Sequence, residues 1–392
     1  MRSLCLLGAT GSIGTQTLDL VRLDKTICLK AFSFGNNIKQ AIKIINEFNP
    51  SLVCAKEEED AFNLSKQFPH IEFCYGREGL IKVATYKCDN PIVLNALVGI
   101  VGLEPTYHAI LHNRDIYLAN KETLVVGGNI IMLEAKKRGI NIIPLDSEHS
   151  AIYQLLDNES TKEIRRLIIT ASGGSVRDIP RSKLSSVTAS QVLNHPNWKM
   201  GAKITVDSAT MMNKGFEVIE AYHLFDVAID QIKVLIHRNS IVHSMVEFND
   251  YSICAQLASP DMHLPIHYAI YGKKHTSCDI IKPLDLNKLF NLQFEELDNE
   301  RYPLVQIAID ALNKGGIYPC ILNASNEAAV KLFLDGSISF IQIEKIIINE
   351  LKNHEYEKYN KETLTIEDLL LIDQIVKNNI LTCRKEEKKC NI

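Results

Sequence analysis

The sequence predicts an α/β protein with a Rossmann-like, doubly wound parallel sheet at the N-terminus. A central α/β domain with a largely open sheet and a helical C-terminal domain follow. Three observations lead there. Over the first 145 residues, short Leu/Ile/Val-rich runs alternate with amphipathic helical stretches, which is the rhythm of βαβ units. A glycine turn, Gly8-Ala-Thr-Gly11-Ser-Ile-Gly14, follows the first apolar run at once and opens a helix. Beyond residue 301 the periodicity is helical. A chain of 392 residues also exceeds what one hydrophobic core usually serves, so several domains are expected.

Composition narrows the function classes. A formal charge of −4 provides no field that would gather nucleic acid or anionic lipid nonspecifically, which disfavours both as partners. The ten cysteines stand at 5, 28, 54, 74, 88, 254, 278, 320, 383 and 390, with no Cys-x-x-Cys and no compact zinc or disulfide spacing. They read as reduced thiols of a cytoplasmic protein. The opening Met1-Arg-Ser-Leu-Cys-Leu-Leu-Gly8 is too short an apolar run for an export signal, and no uninterrupted run is long enough to span a membrane.

Ser3–Leu7 has the pattern of a buried strand, and Thr15–Leu23 that of an amphipathic helix. Between them, glycines at 8 and 11 let the backbone turn tightly and approach a pyrophosphate, while Gly14 lets helix and strand pack closely. The helix N-terminus offers free amides to the phosphates. A second strand, Cys28–Phe34, ends in Gly35-Asn36-Asn37, where an NAD site usually carries an acid for the ribose diol. The missing acid, which would repel a 2′-phosphate, points to NADPH. Apolar runs at 52–55, 91–94 and 115–118 alternate with helical stretches at 38–48, 57–67 and 101–112.

After the run at 115–118, Asn120-Lys121-Glu122 places polar side chains at the carboxyl end of a strand, where open α/β sheets bind ligands. Lys121 is therefore a candidate contact. Tyr117-x-x-x-Lys121 imitates the Tyr/Lys pair of short-chain dehydrogenases, but Tyr117 lies in a strand pattern, where a four-residue offset separates side chains by about 13 Å. The run 141–145 delivers Asp146-Ser147-Glu148-His149. In an extended chain Asp146 and Glu148 face one side and can grip a hard cation; alternatively Asp146 or Ser147 caps a helix with Glu148 in its first turn.

A strand at 164–170 ends in Ala171-Ser172-Gly173-Gly174-Ser175, small residues whose amides can face a phosphate. Asn194-His195-Pro196-Asn197-Trp198-Lys199-Met200-Gly201 sets the only tryptophan in a polar loop, either a lid over substrate or a surface loop pinned by a buried ring. Val206–Glu220 is dense in polar groups. If Ser208 ends a loop and a helix follows, Asn213, Lys214 and Glu217 share one face, as a site or as a solvated ion pair. Lys233–Phe248 alternates as one strand of a second sheet, in which His237 and His243 read as ordinary sheet surface or interface. Its open edge invites a homodimer. Helical patterns follow at 302–315, 324–334, 339–352 and 366–380.

Taken together, Gly8–Gly14, Asn120-Lys-Glu122, Leu145-Asp-Ser-Glu-His149, Ala171-Ser-Gly-Gly174, His195-Pro-Asn-Trp-Lys-Met-Gly201, Asp207–Glu217 and Pro260-Asp-Met262 resemble the 1-deoxy-D-xylulose 5-phosphate reductoisomerase family. The motifs fall in that family's order over most of the chain. The resemblance implies an enzyme that converts 1-deoxy-D-xylulose 5-phosphate to 2-C-methyl-D-erythritol 4-phosphate by a metal-assisted retroaldol/aldol rearrangement and hydride transfer from NADPH, early in mevalonate-independent isoprenoid synthesis. It implies that Asp146, Glu148 and Glu217 bind Mg or Mn, and that Lys121, Glu148 and Lys214 carry the catalysis. Ser172, His195, Ser208, Asn213 and Lys214 correspond to the substrate site, chiefly its phosphate end. Lys121, Ser147, Glu148, Glu217, Ser240, Met262 and Trp198 line the rest of that site. By the same resemblance, Thr10, Gly11, Ser12, Ile13, Gly35, Asn36, Asn37, Asn120, Glu122 and Gly201 would contact NADPH. At Asn36 the sequence departs from family members that carry a lysine.

On this basis residues 1–145 bind NADPH, 146–280 hold metal and substrate with a flap at 194–203 and a dimerisation sheet, 281–300 connect, and 301–392 are helical. Two alternatives share the N-terminal fingerprint, a short-chain-type sugar epimerase or dehydrogenase and a non-catalytic NADPH sensor. An aldehyde dehydrogenase is disfavoured because no cysteine lies near the loop motifs.

Overall fold

A computed structural model describes residues 1–156, 163–272 and 275–390, with side chains to residue 382. Two compact units emerge: one of Met1–Thr123, Asn129–Gln154 and Asp261–Lys282, the other of Leu124–Gly128, Leu155–Pro260 and Pro283–Ile392.

The chain begins with β1 (Arg2–Leu7), α1 (Ser12–Leu23), β2 (Ile27–Ser33), α2 (Ile38–Phe48), β3 (Leu52–Ala55), α3 (Glu58–Gln67), β4 (Glu72–Tyr75) and α4 (Gly76–Ala84). Next come β5 (Pro91–Asn95), α5 (Leu103–Leu111), β6 (Ile116–Leu118), α6 (Lys121–Arg138), β7 (Ile142–Pro144) and α7 (Ser147–Leu155). The seven strands form one sheet in the order β4-β3-β2-β1-β5-β6-β7, with parallel pairings throughout. Because the chain winds outward from β1 in one direction and from β5 in the other, the β1/β5 boundary is the switch point where such sheets bind ligands. Leu4, Leu6, Leu29, Phe32, Val53 and Leu94 are buried in the core. The pair β4 and α4 escapes the sequence reading, since Glu-Phe-Cys-Tyr is short and its ends are exposed.

The middle of the chain supplies β8 (Ile164–Ala171), α8 (Ala189–Leu193), α9 (Ala202–Thr210), α10 (Met212–Phe225), β9 (Ile232–Ile236), β10 (Val242–Phe248) and β11 (Ile253–Leu257). α11 (His263–Tyr271) belongs to the first unit, where Ile266 and Ile270 join its core and His263 Nε2 meets Asp19 of α1 at 3.3 Å. Then come β12 (Glu295–Glu296), α12 (Pro303–Lys314), α13 (Tyr318–Leu334), α14 (Phe340–Leu351) and α15 (Ile366–Cys390).

The second sheet has the order β11-β10-β8-β9-β12 and is mixed. β8 pairs parallel with β9 and antiparallel with β10. The single strand expected over 233–248 is therefore two, on opposite sides of β8. A left-handed Ser240 (φ 51°) lies between them, and so long a strand would be unusual in any sheet. α13 starts at Tyr318 rather than 324, because Pro319 is tolerated in a first turn that needs no N–H from it. Among the described residues no helix is long and apolar enough to cross a membrane.

Candidate active site

In the first unit, the glycine turn sits at the switch point. Gly8 has φ 86°, and a Cβ there would lie 2.7 Å from the Ala96 carbonyl oxygen. A Cβ on Gly14 would stand 2.6 Å from Ala9 Cα, so only glycine lets α1 pack down on the turn. Gly11 and Ser12 are exposed at the N-terminus of α1, with Thr10 and Ile13 partly buried on either side. Unpaired amides and the helix dipole thus face an open approach, which suits a pyrophosphate. The turn is held from β2: Gly8 N donates to Ser33 Oγ at 2.9 Å, and Ala9 N to the Ser33 carbonyl at 2.8 Å. Ser33 carries no signal in the sequence.

At the end of β2, Asn36 and Asn37 are exposed, and the Asn37 side-chain oxygen caps α2 by accepting from Gln40 N at 3.1 Å. Gly35 has open space around it. Asn120, buried, caps α6 by accepting from Thr123 N at 3.1 Å, while its amide donates to the carbonyls of Leu97 and Gly99 and to Glu122 at 3.0 Å each. Asn120 and Glu122 thereby brace the loop that follows β5.

Lys121 and Asp146 meet at the carboxyl ends of β6 and β7, with Nζ 2.6 Å from Oδ2 and Lys121 only 5% exposed. Burial raises the Asp146 carboxyl, but Lys121 and then His149 outweigh it and hold the group well below the usual carboxylate range. Asp146 is an anion. The chain does not stay extended through 146–148 as one sequence reading had it; it turns into α7 at Ser147, whose hydroxyl donates to Glu148. The first helical turn, rather than strand alternation, brings a carboxylate oxygen of Glu148 within 4.8 Å of one of Asp146. Two hard oxygen donors at this spacing, one held ionised by a lysine, fit a Mg or Mn ion. Met262, just before α11, packs against the first unit's core. Tyr117 is in β6 whereas Lys121 begins α6, so the pair shares no helix and the short-chain dehydrogenase arrangement is absent.

In the second unit, Ser172-Gly173-Gly174 follows β8 with both glycines left-handed (φ 83° and 77°). A Cβ on Gly174 would meet the Ser208 carbonyl and Ala209 Cα at 2.6 Å, so the loop lies directly on the last turn of α9. Ser208 is therefore helical, not the end of a loop as expected, and the break falls three residues later at left-handed Met211 (φ 63°). From there α10 presents Asn213, Lys214 and Glu217. Both Asn213 Nδ2 and Lys214 Nζ donate to the buried Glu217 carboxylate, so the pair is no solvated surface bridge.

His195 closes over the loop, with Nε2 3.0 Å from Ser172 Oγ. Its Nδ1 accepts from the backbone N–H of Asn197 (3.2 Å) and Trp198 (3.0 Å), which leaves the hydrogen on Nε2 to donate to Ser172. Burial, reinforced by Arg177, pushes His195 down to about 4. It is neutral at physiological pH. Asn197 Nδ2 donates to Ser240 Oγ at 2.8 Å and to the Arg238 carbonyl at 2.7 Å, which fastens the 194–201 loop to the β9–β10 link. The Trp198 ring lies 6.0 Å from the His243 ring, and Gly201 caps α9 in open space.

Three supports were not anticipated. Arg177 Nη1 donates to the Ser172 carbonyl at 2.6 Å, and Tyr302 Oη to the Gly173 carbonyl at 3.1 Å, so the loop's carbonyls are gripped from behind. Asp207, beside Ser208, is buried between Lys203 (3.0 Å) and Asn326 of α13 (2.8 Å). Arg177, three residues past the glycines, was findable as a cation next to a candidate anion loop. Tyr302 and Asn326 lie 129 and 119 residues from their partners and carried no such signal.

A doubly wound sheet with a pyrophosphate-shaped turn at its switch point and a carboxylate pair, of which Asp146 is held ionised, at a neighbouring strand end defines a class, the dinucleotide-dependent enzymes of Rossmann type. Comparison with known proteins narrows it. Residues 4–128 match the family described as 1-deoxy-D-xylulose 5-phosphate reductoisomerase, 142–225 its C-terminal domain, and 257–379 a further DXP reductoisomerase C-terminal domain. The chain is 50% identical over 356 residues to the 1-deoxy-D-xylulose 5-phosphate reductoisomerase of Macrococcus caseolyticus, covering 91% of this chain and 94% of that protein. It is 47% identical over 376 residues to that of Lysinibacillus sphaericus, covering 96% and 97%. Among solved structures, a DOX-P reductoisomerase in complex with NADPH, fosmidomycin and magnesium superposes with a TM-score of 0.93 at 36% identity, covering 99% of each chain. The Zymomonas mobilis enzyme in complex with NADPH gives 0.88 at 35%, covering 98% and 99%. The chain belongs to the 1-deoxy-D-xylulose 5-phosphate reductoisomerase family.

Proposed function

We propose that the residues described above perform the family's reaction in this chain: rearrangement and NADPH-dependent reduction of 1-deoxy-D-xylulose 5-phosphate to 2-C-methyl-D-erythritol 4-phosphate, early in mevalonate-independent isoprenoid synthesis. The observation that carries this reading is the pairing of a glycine-only turn at the sheet's switch point with ionised Asp146 beside Glu148 at the end of β7. When bound, a divalent ion supplies Lewis acidity at the substrate carbonyl and the nicotinamide supplies the hydride.

The chain's own groups do the rest. Asp146, Glu148 and Glu217 are the ligand set for Mg or Mn. Lys121 keeps Asp146 ionised, and Lys214 with Asn213 stabilises the buried Glu217 carboxylate. Ser172, Ser208, Asn213 and Lys214 hold the substrate's phosphate end, with neutral His195 donating from Nε2. Binding the phosphate, remote from the reacting carbons, orients them and favours loop closure. Trp198, in a flap over 194–203, excludes water, while Ser147, Ser240 and Met262 line the substrate. Thr10 to Ile13, Gly35 to Asn37, Asn120, Glu122 and Gly201 contact NADPH. In functional terms 1–145 bind the cofactor, 146–280 metal and substrate, and 301–392, of which 391–392 lie outside the described residues, form the helical region after a connector at 281–300.

The partner proposed is a second copy of the chain, since β11 is a sheet edge with Ile253 and Leu257 exposed. The eight described cysteines are free, in keeping with a reducing cytoplasm.

The decisive experiment couples activity to metal binding. NADPH oxidation with deoxyxylulose phosphate should require Mg or Mn and stop with EDTA. Glu217→Gln should lose turnover and Mn affinity, read calorimetrically, while NADPH affinity is retained. A Gln variant that binds Mn normally would remove Glu217 from the ligand set, and turnover that survives EDTA would remove the metal from the reaction.

A further inference from the structure

The proposed reaction uses none of the cysteines, yet the fold sorts them. Four of the eight described thiols lie in pairs within the first unit. Cys54 and Cys74 face each other in register on β3 and β4, and Cys5 and Cys88 have their Sγ atoms 3.9 Å apart. The first pair is fixed by the ladders of two strands. The second is not, because Cys5 is buried in β1 whereas Cys88, partly exposed, lies in the irregular link between α4 and β5. A fixed cation stands beside them. Arg114 is buried, with its Nη1 3.9 Å from Cys5 Sγ, and it is held by the carbonyls of Ala84 (3.3 Å), Thr85 (2.9 Å) and Tyr86 (2.6 Å).

This arrangement divides the labour between the sulfurs. The hydrogen bond with Cys5 and then the Arg114 guanidinium hold the Cys88 thiol below its ordinary value, against partial burial and Asp89. The same hydrogen bond, together with burial, pushes the Cys5 thiol up, so it keeps its hydrogen. Cys88 is the reachable nucleophile and Cys5 the thiol behind it.

We propose that Cys5 and Cys88 form a peroxide-reactive dithiol that closes to a disulfide between β1 and the segment leading into β5. The Cys88 thiolate attacks the terminal oxygen of a hydroperoxide. The S–O bond forms as the O–O bond breaks, and the departing alkoxide or hydroxide takes a proton from water. Cys5 sulfur then attacks the resulting sulfenic acid, forming S–S and breaking S–O, and its hydrogen leaves with the hydroxyl as water. Two electrons pass from the dithiol to the peroxide. The sulfurs must approach from 3.9 Å to about 2.0 Å, a movement the unladdered Cys88 link can supply.

The test uses the full chain freed of reductant. It is treated with hydrogen peroxide, blocked with N-ethylmaleimide, digested and examined by mass spectrometry. A linked Cys5–Cys88 peptide should appear before the exposed Cys254 is oxidised, and dithiothreitol should reverse it. Cys88→Ser should abolish the link, and Cys5→Ser should stop at a sulfenic acid on Cys88 that dimedone traps. If Cys5→Ser fails to fold, the wild-type time course and Cys88→Ser still decide. Oxidation of Cys254 ahead of Cys88, or sulfinic acid on Cys88 while Cys5 remains alkylatable, overturns the proposal.

Discussion

Tyr302→Phe isolates one hydroxyl that acts on the candidate phosphate loop without touching substrate. The ring is buried and stays so in phenylalanine, so packing is conserved; what disappears is the 3.1 Å hydrogen bond to the Gly173 carbonyl. Leaving a buried carbonyl without its donor costs about 1 to 3 kcal/mol. Gly173 and Gly174 are both left-handed and the most permissive residues in the loop, so that cost should be met by local rearrangement rather than by global unfolding. Since roughly 1.4 kcal/mol is tenfold in binding, KM for deoxyxylulose phosphate should rise about 5- to 150-fold. KM for NADPH, which this loop does not serve in our reading, should hardly change. Steady-state kinetics with each substrate varied in turn, alongside a urea melt, gives the answer. An unchanged sugar-phosphate KM together with a clear loss of stability would show that the hydroxyl supports the fold alone and would refute the positioning argument.

Two further predictions rest on other elements. Gly14→Ala places a methyl 2.6 Å from Ala9 Cα, a backbone clash no rotamer relieves, so NADPH affinity followed by fluorescence titration should fall about tenfold or more; normal affinity would contradict the turn's role. Asp373 shows a pH effect in the C-terminal helices: burial raises its carboxyl from 3.8 to about 6, although Lys377 lies 2.8 Å away. The native state then holds more protons than the unfolded chain between those values, so this group's contribution to stability is full below pH 3.8 and declines as pH rises to about 6. The loss is at most about 3 kcal/mol, and Asp373→Asn should flatten the change in urea midpoint over that window; an identical slope in the variant would contradict the assignment.

Much of this protein could be read from short stretches, because the forces that shape them act over a few residues. The turn Gly8 to Gly14 is a steric requirement spanning seven positions, and the strands of the first sheet declare themselves as apolar runs between turn residues. The density of polar groups in the stretch 206–220 was legible for the same reason. Its shape was not. Ser208 lies inside α9, and Thr, Asp and Ser favour a helix so weakly that only burial of Val206 and Ala209 explains one there. Likewise the run 233–248 carried one alternating pattern, and only the position of β8 divided it into two strands.

Sequence alone thus determined the family-defining motifs, the parallel sheet and the chemical types gathered at its carboxyl edge, all of which depend on local sterics and periodicity. Tertiary structure decided which distant groups meet: Tyr302 behind Gly173, Asn326 on Asp207, and Cys88 against Cys5, separated by 129, 119 and 83 residues. Such pairings follow the path of the whole chain through its cores, and no window of neighbouring residues encodes that path.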